Sequence, residues 1–198
     1  ALSVPYSPPA RLMRLPLAAC LLVCGLPLLA AERVVSLAPS MSEIMLELGA
    51  EQRLVGVLDG GERPAALLGV PSVGRFGTLE LETLLSLKPD LLLLSPGSLP
   101  EAQRRQLDDI GIPLYLGEPH DLQQLAEQFA EIGARVGHAE RGRQLREQFR
   151  DGMAALRARY RRERPLTVFY QVWHQPVYTI GAQQIIGDAL SVCGARNV

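Results

Sequence analysis

Apolar positions along the chain follow two rhythms. Short runs rich in Val, Leu and Ile, at Arg33 to Leu37, Leu54 to Leu58, Val70 to Val73, Asp90 to Ser95 and Ile112 to Leu116, predict strands. Between them lie patterns of helical period: Ile44 to Leu48 closed by Gly49, Leu79 to Leu87 stopped by Pro89, and Pro100 to Ile110, with a further helix that Asp121 caps and that runs through Val136. Ser40-Met41-Ser42-Glu43 has the spacing of a capping box, which predicts Ser40 as the cap of the first helix. Regular alternation of short strands and helices implies an α/β fold whose mostly parallel sheet is covered on both faces. The stretch from Asp90 to Ser95 fits a strand buried on both sides.

One helical pattern is much longer than the rest. From His138 to Arg162, Leu145, Phe149, Met153, Leu156 and Tyr160 recur at steps of three and four, drawing an apolar stripe on a helix otherwise made of Arg, Glu, Gln and Asp. No proline interrupts it. Gly142 and Gly152 each cost about 1 kcal/mol relative to Ala in a helix interior, so tertiary packing has to hold the helix straight. After Pro165 the strand pattern starts again with Leu166 to Val172. The helix therefore stands where a connector between two halves would stand, which divides the chain into 32–137, 138–164 and 165–198.

Composition narrows the function. A net charge of −1 leaves no electrostatic footprint for nucleic acid. The arginines from Arg141 to Arg164 are interleaved with Glu140, Glu147, Asp151 and Glu163, the pattern of a solvated helix face. At the N-terminus, Arg11 and Arg14 precede an apolar stretch from Leu15 to Leu29 that ends in Ala30-Ala31-Glu32. This layout predicts a secretory signal peptide over residues 1–31, cleaved near Ala30 or Ala31. Leu17-Ala18-Ala19-Cys20 offers an alternative, since it resembles the lipobox at which lipoproteins are cut and anchored through the cysteine. Only a few apolar residues separate Arg14 from Cys20, which favours removal of the whole segment. Both routes export the protein. Cys20 and Cys24 leave with the leader, and Cys193 stays behind, either as a small buried thiol near a helix end or with a partner beyond Val198.

Candidate chemistry is sparse. Phosphate-loop and dinucleotide signatures are absent, Gly74-Arg75-Phe76-Gly77 lacks the third glycine, and no Gly-x-Ser-x-Gly elbow is present. His120 reads as a turn residue, His138 as a helix-entry residue and His174 as a pocket-wall or surface residue, so no metal site is expected. Neither a hydrolase nor a dehydrogenase has visible machinery. Loops that follow parallel strands do converge at one end of such a sheet, where doubly wound folds bind ligands. Placed there are Pro39 and Ser40, Gly60 to Arg63, and Trp173 to Tyr178, with Phe76 beside them. Aromatic rings next to backbone donors suit a large ligand with a flat apolar body and polar edges. Core packing accounts equally well for Phe76 and Tyr178. Trp173, flanked by Gln171, His174, Gln175 and Pro176, reads as a loop-tip residue.

Arg33-Val34-Val35-Ser36-Leu37-Ala38-Pro39-Ser40 with Glu43, then Leu81-Glu82 ahead of Leu87-Lys88-Pro89-Asp90-Leu91, resemble the periplasmic substrate-binding proteins of the helical-backbone class, which serve ABC importers for cobalamin, ferric siderophores and haem. Tyr170-Gln171-Val172-Trp173 through Pro176, Tyr178-Thr179-Ile180-Gly181, Cys193-Gly194 and Asn197-Val198 look most like the cobalamin-binding branch. The resemblance implies two Rossmann-like lobes joined by a single long backbone helix, no catalysis and no cofactor. It implies a monomer in the periplasm that binds cobalamin or another large iron or cobalt chelate and docks on a permease in the inner membrane. Glu82 matches a glutamate that docks on permease arginines. Gly60 falls where cobalamin binders place a tyrosine against the corrin, and Phe76 where they place a tryptophan. Trp173 would compensate from the opposite lobe, with His174 and Tyr178 near it, while Pro39 and Ser40 line the ligand side of the first lobe. Arg63 would meet a polar edge or a carboxylate, which keeps haem and siderophores in play. Cys193 matches a cysteine paired with one nearer the C-terminus, so the resemblance implies further second-lobe sequence after Val198. An exported α/β enzyme of unrecognised mechanism is the alternative from another class. A metal-ion receptor lacks its set of histidines.

Overall fold

A computed structural model describes residues 30–181 and 183–198. Almost all of the expected leader lies outside the described residues. Ala31 lies inside them, its N–H donating to Arg135 O at 2.8 Å and its carbonyl accepting from Arg53 at 2.6 Å.

The first lobe is one sheet with helices on both faces. Its strands are β1 (Val34–Ser36), β2 (Leu54–Asp59), β3 (Ser72–Arg75), β4 (Thr78–Leu79), β5 (Leu91–Leu94) and β6 (Leu114–Leu116), in the spatial order β4-β3-β2-β1-β5-β6. All neighbours run parallel except β3 and β4. The connecting helices are α1 (Pro39–Glu47), α2 (Leu81–Ser86) and α3 (Glu101–Ile110), and α4 (Leu122–Arg135) follows β6. Successive strand residues feed opposite cores. Val34, Leu91 and Leu93 pack with Met41, Met45, Leu48 and Ile132, while Val35, Leu92 and Leu94 pack with Leu37, Leu84 and Leu107. All four residues of β5 are buried, as its unbroken apolar run predicts. Each such Leu contributes about 1.5–3 kcal/mol by leaving water.

Helix starts follow local chemistry, with one correction. Asp121 caps α4 as expected, its Oδ1 accepting from Gln124 N at 2.7 Å. The capping box at Ser40 does not form. Ala38 is the cap of α1 and Pro39 its first residue, because proline's fixed φ and missing N–H suit that position. Ser40 is thereby drawn into the helix, with its hydroxyl 3.2 Å from Ser95 Oγ.

The connector is α5 (Ala139–Arg159), a little shorter than its pattern suggests. Of the expected stripe, Leu145 is buried and Phe149 meets Phe129 at 5.9 Å between ring centres, whereas Leu156 and Tyr160 are more than a third exposed. Gly142 is the residue that seats this helix. A Cβ there would come within 2.4 Å of Phe129 O, and one on Gly133 of α4 within 3.0 Å of Gly142 Cα, so the two backbones touch where neither residue has a side chain.

Beyond α5 the predicted single strand from Leu166 to Val172 splits in two. β7 (Leu166–Val168) pairs in parallel with β10 (Ala195–Asn197), while β8 (Gln171–His174) turns back on β9 (Val177–Thr179) as an antiparallel hairpin. Between them runs α6 (Ile185–Val192), whose C-cap is Cys193. That thiol is exposed, not buried, and has no disulfide partner among the described residues. Asp188 of α6 reaches back to the first lobe and the connector: Leu122 N donates to its Oδ2 at 3.0 Å and Arg157 of α5 to its Oδ1 at 3.2 Å. Among the described residues no helix is long and apolar enough to cross a membrane.

Candidate functional site

Parallel strands aim their C-terminal ends at one edge of the sheet, and most of the expected ligand residues lie along it. Pro39, Gly60 and Arg63 line one small cavity of about 40 Å³ together with Glu43, Asp59 and Leu67. Gly60 lies close under Pro39, since a Cβ on it would be 3.0 Å from Pro39 Cγ. Ser40 faces a different cavity, on the other flank of α1.

Arg63 turns into the protein. Its guanidinium is paired with Asp59 and donates to Val70 O at 2.6 Å. Asp59 also accepts from Ser72 Oγ at 2.7 Å. The Ser72 hydroxyl and the Arg63 guanidinium hold the Asp59 carboxyl below its ordinary value. Arg63 therefore fixes the loop after β2.

Phe76 sits at the tip of the β3–β4 hairpin, a turn absent from the sequence reading. Its N–H donates to Asp59 O at 2.7 Å, and its ring is 61% exposed, which rules out the core-packing alternative. The hairpin requires glycine at Gly74, where φ is +126° and a Cβ would lie 2.3 Å from Thr78 O. Glu82 stands in the first turn of α2, exposed to solvent and well placed at a helix N-terminus for a negative charge.

Trp173, His174 and Tyr178 come together on the β8–β9 hairpin. Trp173 is directly across from Tyr178, the two are 56% and 58% exposed, and the Trp173 and His174 rings are 5.4 Å apart. Trp173 is thus a strand residue, its indole N–H donating to Gln175 O at 3.0 Å. Asn197, which the local pattern did not single out, fastens this hairpin to β10. It donates to Thr179 Oγ1 and to Ile180 O at 2.9 Å each, and accepts from Tyr170 N at 2.7 Å. Among the described residues no group of three or more His, Cys, Asp or Glu is placed to hold a metal ion.

A two-lobed α/β fold with exposed aromatic rings at strand ends and on a hairpin is the build of a substrate-binding protein. The family described as periplasmic binding protein matches residues 34–198, and the chain belongs to it. The vitamin B12-binding proteins of Yersinia pestis (strain Pestoides F) and Yersinia pseudotuberculosis (serotype O:3, strain YPIII) are each 34% identical to it over 193 residues, covering 96% of this chain and 69% of theirs. The crystal structure of the periplasmic vitamin B12 binding protein of Vibrio cholerae superposes with a TM-score of 0.76 at 29% identity, over 84% of this chain and 66% of that one. The periplasmic haem binding protein of Vibrio cholerae gives 0.72 at 29% identity, over 83% and 65%. The chain thus spans about two thirds of the length of these relatives.

Proposed function

We propose that this chain captures cobalamin in a cleft between its lobes and delivers it to the permease of an ABC importer. The observation that carries this reading is the placement of three exposed aromatic rings, Phe76 on the first lobe and Trp173 with Tyr178 on the second, in a chain similar along nearly its whole length to vitamin B12-binding proteins. Flat rings cover the face of a macrocycle, while loop amides after β1 and β2 bond its polar rim. Glu82 serves as a docking acid for an arginine of the permease. Arg63 contributes by holding its loop. The protein works as a monomer in the periplasm after its leader is removed. The bonds of Ala31 to Arg135 and Arg53 support cleavage ahead of Ala31, and a mature mass starting at Ala31 checks this.

Calorimetric titration tests the ligand. Cobalamin is expected to bind saturably at one site, and Trp173→Ala to weaken it at least tenfold with little change in melting temperature, because the ring is more than half exposed. Haem is the second reading, favoured by the likeness to the Vibrio cholerae haem binding protein. Binding of haem or a ferric siderophore in place of cobalamin overturns the choice of ligand and leaves the receptor class standing.

A further inference from the structure

On the ligand edge of the first lobe a second cavity has no part in the reading above. It lies between α1 and α4, has a volume of about 380 Å³, and reaches the residues that follow β1, β5 and β6, namely Ser40, Ser95 and Gly117. Its apolar walls come from Met41, Ile44, Leu125 and Phe129. Gln128 is the unusual member. Its side chain is 5% exposed and its Oε1 has no hydrogen-bond partner among the described residues. Burying an unsatisfied amide is strongly disfavoured, so such a group persists where something absent from the folded chain satisfies it. Gly117 leaves it room, since a Cβ there would come within 3.0 Å of Gln128 Nε2.

The other polar groups on the wall are the hydroxyls of Ser40 and Ser95 and the carboxylates of Glu43 and Glu47. Among the described residues lining the cavity there is no Lys, Arg or His. This is an acceptor-rich, anionic pocket too small for a macrocycle and roomy enough for one of its side arms. We propose that it receives a primary carboxamide arm from the rim of the cargo, and that Gln128 with Glu43 and Glu47 selects an amide-fringed corrinoid against a carboxylate-fringed porphyrin. The proposal rests on the reading that the chain captures cobalamin. A carboxamide both donates and accepts, so it pairs with the Gln128 amide in either orientation of that group. A carboxylate only accepts, leaves the Gln128 oxygen unpaired, and brings a third negative charge beside Glu43 and Glu47.

The test is calorimetric titration of wild type and Gln128→Met with cobalamin and with the same corrinoid hydrolysed to carboxylates at its rim, with melting curves run without ligand. Methionine keeps the length and removes the amide. The expected result is a loss of about five- to tenfold in cobalamin affinity, the worth of one buried hydrogen bond. Affinity for the hydrolysed corrinoid stays within about twofold and the melting temperature is equal or higher, because an unsatisfied buried group has gone. Glu47→Gln is expected to strengthen binding of the hydrolysed form severalfold. Equal cobalamin affinity in wild type and Gln128→Met overturns the pocket and leaves cobalamin capture intact. A lower melting temperature with proportionate loss of both ligands assigns Gln128 a structural role and overturns it too. Failure of wild type to bind cobalamin at all removes the reading beneath the proposal, and it is recognised before any variant is compared.

Discussion

Gly142 and Gly152 are ten positions apart on one helix and cost the same by propensity, yet their surroundings assign them opposite roles. A Cβ on Gly142 drives into the α4 backbone, whereas one on Gly152 meets nothing within 4 Å. Gly142→Ala is expected to destabilise the protein by about 1–3 kcal/mol through overpacking, and Gly152→Ala to stabilise it by up to about 1 kcal/mol through helix propensity. Urea titrations of the two variants check both signs. Sequence shows two equal weak points here, because a glycine's task is set by the element packed against it. Asp59 likewise depends on the neighbours that the folded loop brings to it, Ser72 and Arg63. Its folded carboxyl titrates below the ordinary value of 3.8, so in the pH interval between the two values the unfolded chain binds the proton more readily. The stability that Asp59 supplies is fully present above that ordinary value and is lost as pH falls through the lowered one. The carboxylate is 45% exposed, so the contribution is under about 1 kcal/mol. Asp59→Asn is expected to lower the melting temperature slightly at neutral pH and to lose that difference from wild type as pH falls through the lowered value, read by thermal melts across an acid series.

At the scale of elements, the hairpin that carries Trp173 and Tyr178 depends on a residue outside it. Asn197 supplies three hydrogen bonds between the hairpin region and β10. Asn197→Ala is expected to speed amide exchange at Gln171 and Thr179 by tenfold or more and to weaken ligand binding, while the six-stranded sheet keeps its protection. Hydrogen exchange followed by mass spectrometry separates the two regions. The parallel strands and their helices were legible because an apolar run between turn residues has few other readings. Turns were less so. The β3–β4 hairpin depends on two glycines at positive φ, Gly74 and Gly77, and on a two-residue strand with no periodicity of its own, so Phe76 could be named as a candidate but not placed on a tip. Ser40 was misplaced because two valid start signals, a serine and the proline before it, competed and the backbone restriction of proline prevailed. Arg63 was legible as a charge near the site, but its pairing with Asp59 and Val70 was not, because the partners are joined only by the folded loop.

The two lobes as a whole are joined by α5 and pinned by Asp188. Removing that carboxylate takes an acceptor from Leu122 N at the start of α4 and from Arg157 on α5. Asp188→Ala is expected to raise exchange at the Leu122 amide about fivefold, the effect of losing one helix-end bond, and to broaden the lobe arrangement seen by small-angle scattering. The long connector was legible from the single uninterrupted helical pattern between two strand-rich stretches. The pin was not, since Asp188 is an ordinary helix residue until the fold brings it to α4. The connector has a further consequence. A continuous helix of 21 residues is a strut of about 30 Å, and bending it breaks backbone hydrogen bonds that nothing nearby replaces. A receptor built on such a strut broadcasts little about its own occupancy: full and empty copies present nearly the same outline to the membrane. In the importer reading, empty copies should therefore occupy the permease almost as well as loaded ones. Adding excess ligand-free protein to a vesicle uptake assay is then expected to slow transport in proportion to its share of the total.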